Sequence, residues 1–125
     1  MLAMTNEQRA KALIQELGFA FDSISKDRVR SLLVREIEDF QAGSSEYIRL
    51  LCGYLFCLGD AGDISLLEKA KYGVNFDVGC MVDAEWIDSL RNGGRETELL
   101  RPREELVEAF VSYYQSFEAD DIDCG

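Results

Sequence analysis

Ser45-Glu46-Tyr47-Ile48-Arg49-Leu50-Leu51-Cys52-Gly53-Tyr54-Leu55-Phe56-Cys57-Leu58-Gly59 is the stretch that decides the fold. Drawn as a helix, residues 45–58 carry apolar side chains on almost every face. A helix of that kind is covered on most sides by its neighbours. Ser44 and Ser45 open it and Gly59 stops it. The apolar run from Leu50 to Leu58 is short and is interrupted by Gly53, whereas a membrane span needs roughly 18 apolar residues. The stretch is therefore the centre of a water-borne helical fold.

Helical patterns continue on both sides of that centre. Upstream, Thr5 and Gln8 have the form of a capping box, followed by Ala10, Leu13, Ile14 and Leu17 at helical spacing and a stop at Gly18. Phe19 and Phe21 plug the turn. Ser25 or Asp27 caps a second helix whose apolar face is Val29, Leu32, Leu33, Ile37 and Phe40, ending near Gly43. Downstream, Asp60 or Asp63 caps a fourth helix, with Ile64, Leu67 and Ala70 inward, that ends near Lys71. An irregular stretch from Tyr72 to Val82 follows, and it reads as a functional loop. Asp83 caps a fifth helix bearing Trp86, Ile87 and Leu90, which runs to Asn92 and the Gly93-Gly94 loop. Pro102 suits the first turn of a last helix, with Leu106, Phe110, Tyr113 and Phe117 as its stripe. Strand alternation is poor throughout. The expectation is an all-α fold: about six helices in antiparallel hairpins, forming a small helical bundle or a short HEAT-like array. One domain covers 1–117, with an acidic tail over 118–125.

Composition narrows the function. The chain has 125 residues and no histidine. A Cys-His or Ser-His nucleophile is therefore impossible within it. No phosphate-cradling glycine motif is present. Cys52, Cys57, Cys80 and Cys124 match no zinc spacing and are expected to be thiols. Gly59-Asp60-Ala61-Gly62-Asp63 lacks the alternating ligands of a calcium loop. No metal and no cofactor are expected. The opening MLAMTNEQRAK lacks a basic n-region and a long apolar h-region, which points to the cytoplasm.

With 24 acidic against 13 basic side chains, the formal net charge is −11. Such a chain repels nucleic acid and anionic membrane surfaces, and it attracts a basic protein. The excess is uneven: −1 over residues 1–43, zero over 44–59, and −5 in each of 60–90 and 91–125. Asp77, Asp83, Glu85 and Asp88 are close enough in sequence to be tested as paired catalytic carboxylates. Capping accounts for Asp83 and Glu85 without a substrate. Trp86, spaced with Leu90, fits the core better than a ligand platform.

The segment Leu58-Gly59-Asp60-Ala61-Gly62-Asp63-Ile64, then Glu68-Lys69-Ala70-Lys71, Asn75-Phe76-Asp77-Val78-Gly79-Cys80 and Val82-Asp83, resembles small helical immunity proteins of bacterial polymorphic-toxin and contact-dependent growth-inhibition systems. The shared shape is an L-G-D-x-x-D helix junction, an A-K helix end, F-D-x-G and an Asp-capped helix, over residues 58–83. Gly73-Val74 departs from it by lengthening the loop before Asn75. The resemblance implies an inhibitor, not an enzyme, that occludes a cognate basic toxin domain. Such toxins include nucleases, among them EndoU-type ribonucleases. Carboxylates would occupy the phosphate-binding site: Asp60, Asp63, Asp77, Asp83, Glu85 and Asp88, with Phe76 or Trp86 as an aromatic anchor. Two other classes stand beside this reading. A helical adaptor binding a host protein or peptide would show an exposed apolar groove. A carboxylate enzyme would show two acids in one cleft, one with a raised pKa.

Overall fold

The structure is a computed structural model that describes residues 4–124, with side chains as far as Phe117. Among the described residues seven α-helices follow one another: α1 Asn6–Leu17, α2 Lys26–Glu38, α3 Glu46–Leu58, α4 Ile64–Gly73, α5 Phe76–Met81, α6 Ala84–Arg91 and α7 Arg103–Cys124. Short 3-10 turns sit at Phe21–Ser23 and Ala61–Asp63. Among the described residues the sole β-type pairing is one bridge between Thr97 and Leu100. The all-α expectation holds.

α3 is the axis. Its residues 50–56 are all buried, and it packs against α1, α2, α4, α5 and α6. It reaches α7 as well, because the ring of Phe110 lies directly over Gly53. One helix surrounded by the others is a bundle; in a solenoid each repeat would touch only its neighbours. Aromatic rings fill the space between α3 and α7. Phe110 meets Tyr54, Trp86 and Tyr114 edge-on at centroid distances of 5.5, 6.0 and 5.1 Å. Such pairs add to area burial.

Caps place the helices. The Thr5–Gln8 box forms as its spacing implies: the Gln8 N–H donates to Thr5 Oγ1 at 3.1 Å, and the Thr5 N–H to Gln8 Oε1 at 2.8 Å. Gly18 ends α1 at φ +64°, a left-handed conformation that favours glycine, and the Tyr54 hydroxyl donates to its carbonyl at 2.7 Å. Arg103 closes the other end of α3 by donating to the carbonyls of Phe56 and Cys57 at 3.2 and 2.7 Å.

Several boundaries differ from the sequence reading. α2 stops at Glu38 rather than near Gly43. There the Glu36 carboxylate takes the Arg9 guanidinium at 2.6 and 3.0 Å and the Gln41 N–H at 3.2 Å, which turns the chain early. α4 runs on to Gly73. The stretch Tyr72–Val82, expected to be irregular, contains α5. The last helix continues to Cys124, so the backbone of 118–124 is helical; residue 125 of the expected acidic tail lies outside the described residues.

Candidate functional site

The α4–α5 corner is built by its caps. Asn75 accepts the Val78 N–H on Oδ1 at 2.9 Å, starting α5. Val78 then points into the core and is fully buried. With that side inward, the first two positions of the helix diverge. Phe76 is left 86% exposed. Asp77 turns toward α3 and accepts from the Ser45 hydroxyl at 2.5 Å. The C-terminal end of α5 is held by cations: Lys71 Nζ donates to the carbonyls of Gly79 and Val82 at 2.5 and 2.6 Å, and Arg49 Nε to that of Met81 at 3.1 Å. Positive charge on the last carbonyls complements the helix dipole. A Cβ at Gly79 would lie 3.0 Å from the Lys71 carbonyl, so glycine there lets α5 close onto α4.

Between the two helices lies an open cleft of about 510 Å³, walled by Tyr72, Val74, Phe76 and Cys80. Tyr72 is 71% exposed, with Lys71 Nζ 5.6 Å from its ring centre. Cys80 is an exposed free thiol. By contrast, burial pushes the thiols of Cys52 and Cys57 up to about 12. Phe76 and Asp77, expected as contacts, lie at this corner; Tyr72 and Cys80 fall within the stretch read as a functional loop but had no role of their own in the sequence reading. Its one available signal for Tyr72 was an aromatic lying off the Ile64, Leu67, Ala70 stripe just before Gly73.

The remaining expected contacts divide. Asp60 is exposed; it accepts the Gly62 N–H at 2.8 Å and faces Lys26 Nζ at 3.6 Å. Asp88 is exposed beside Arg91 at 3.5 Å. Asp83 caps α6, accepting the Glu85 N–H at 2.9 Å. Glu85 is forked by Arg101, at 2.7 Å for its closer bond, and that guanidinium holds its carboxyl below the usual range.

Asp63 and Trp86 are corrections. Asp63 is only 1% exposed, so it is closed to a partner. Burial opposes its charge, but the Asp60 N–H, Arg30 and Lys26 outweigh that and hold its carboxyl below the ordinary value. Arg30 donates to it at 2.6 and 2.7 Å, and Lys26 lies 3.1 Å away. Trp86 is buried, stacked on Phe56 at 6.1 Å. It belongs to the core, as its spacing with Leu90 implied, and is no surface anchor.

Chemically this arrangement suits contact. Asp83 is engaged as a cap, and Arg101 holds the Glu85 carboxyl below the usual range, the opposite of what a general acid requires. Among the described residues no group of three or more Cys, Asp or Glu side chains is gathered for a metal ion, and no helix is long and apolar enough to cross a membrane. No family model, curated protein or solved structure matches the chain.

Proposed function

We propose that this chain is an immunity protein that acts in the cytoplasm, binding a basic toxin domain and blocking its active site. The observation that carries the reading is Phe76: a phenylalanine 86% exposed at the start of a helix fixed at both ends. Leaving a ring in water forgoes the roughly 1.5–3 kcal/mol its burial is worth, and a rigid exposed aromatic is what an interface anchor needs. It lies in the segment whose motifs resemble immunity proteins, and a chain of net charge −11 accelerates encounter with a basic partner. Basic ribonucleases, EndoU-type enzymes among them, are the toxin class that this charge fits.

This reading expects a large secreted protein with a basic C-terminal domain to be encoded immediately upstream of this chain's gene, and binding is tested against that domain. Phe76→Ala is expected to weaken binding at least tenfold, about 1.4 kcal/mol, with the thermal midpoint within a few degrees of wild type. Higher salt is expected to slow association far more than it speeds dissociation. A variant that binds like wild type removes Phe76 from the interface.

The α4–α5 cleft favours a second reading, a helical adaptor that takes an apolar peptide between Tyr72 and Phe76. Salt separates the two, since an apolar groove loses little affinity between low and high ionic strength.

A further inference from the structure

The connection from α6 to α7 reads in the sequence as a plain loop, and it folds into a pinned knob. Thr97 and Leu100 exchange backbone hydrogen bonds at 2.9 and 3.3 Å, and the Leu99 N–H donates to Thr97 Oγ1 at 3.3 Å. The Arg103 N–H closes the base on the Gly94 carbonyl at 3.1 Å, and Arg101 forks Glu85 on α6. This frame buries Leu100 and leaves Leu99 95% exposed. Isolated exposed leucines are ordinary on protein surfaces. This one stands apart through its fixed turn and the charge around it.

The cations of the loop bond within the chain, although Arg95 and Arg101 stay exposed. Arg95 donates to the Asn92 carbonyl, Arg101 is held by Glu85, and Arg103 reaches the α3 carbonyls. The anions do not. Glu96, Glu98, Glu104 and Glu105 are exposed, and among the described residues their side chains form neither an ion pair nor a hydrogen bond. The loop and the start of α7 therefore present an apolar tip together with four exposed carboxylates in neither an ion pair nor a hydrogen bond, of which Glu105 lies within electrostatic reach of Arg101.

We infer that the Thr97–Leu100 turn is a second docking element, which inserts Leu99 into an apolar socket rimmed by lysine or arginine on the same basic partner that Phe76 contacts. This rests on the toxin-binding reading. An apolar tip in a basic-rimmed socket would be desolvated and slow dissociation, while the exposed carboxylates would steer association.

The test compares the full chain, Leu99→Ser, Glu96→Gln/Glu98→Gln and Phe76→Ala for binding to the catalytically inactivated basic C-terminal domain that the toxin-binding reading expects to be encoded immediately upstream. Leu99→Ser is expected to raise Kd at least tenfold through faster dissociation, with an unchanged thermal midpoint. The glutamine pair is expected to slow association and flatten its salt dependence. Wild-type affinity in Leu99→Ser overturns the inference, and loss of binding in Phe76→Ala alone leaves the toxin-binding reading standing without it. A fall in thermal stability that matches the loss of binding makes Leu99 structural and also overturns it. Absence of binding by the wild-type chain overturns the reading and the inference together.

Discussion

Ser45 donates its hydroxyl to Asp77 at 2.5 Å, so the serine at the head of α3 ties down α5 instead of capping its own helix. The bond joins the buried axis of the bundle to the first turn of the helix that presents Phe76. Ser45→Ala is expected to cost about 1.5 kcal/mol, at the low end for hydrogen bonds to charged groups because the exposed Asp77 regains water. The measurement is amide hydrogen exchange: α5 should exchange faster while the centre of α3 keeps its protection. Unchanged protection in α5 would mean its caps alone hold it.

Gly53 lies under Phe110, and a Cβ there would overlap the ring. Alanine is the better helix former by about 1 kcal/mol. Gly53→Ala is nevertheless expected to destabilise the fold by about 1–3 kcal/mol through overpacking. Adding Phe110→Leu should recover part of that loss. Urea midpoints of the two variants check the prediction, and a single variant more stable than wild type would contradict the packing described.

Asp63 fastens α2 to the α3–α4 junction through Arg30 and Lys26. Because folding lowers its pKa, its contribution to stability is complete above the unfolded value of about 4 and fades as the pH falls through the lower folded value. Asp63→Asn is expected to lose about 2–3 kcal/mol at neutral pH, somewhat under the cost of breaking a fully buried pair because both cations are partly exposed. The gap to wild type should narrow as the pH drops below 4. A gap that stays constant with pH would deny the carboxylate its charge role.

The helices were legible where a cap or stop stands beside a clean stripe, as at Thr5–Gln8, Gly18 and Gly59. α5 was not, because six residues show no 3.6-residue period and its interior Gly79 looks like a loop residue until the approach to Lys71 explains it. Asp63 carried the same sequence signal as Asp60, an acid before a helix. Only the positions of Lys26 and Arg30, more than thirty residues upstream, make one a buried ion pair and leave the other exposed. In the pair Leu99-Leu100 composition cannot say which leucine turns inward; the bridge to Thr97 decides it.

Growth of cells that express the basic C-terminal domain expected to be encoded immediately upstream, with and without this chain, tests the central claim most directly. Toxin neutralisation predicts that the wild-type chain restores growth. Phe76→Ala, or charge reversal at Asp60 and Asp88 together, should restore less while the protein stays folded and soluble. Arrested growth with both wild-type proteins soluble in the same cell would contradict the immunity reading.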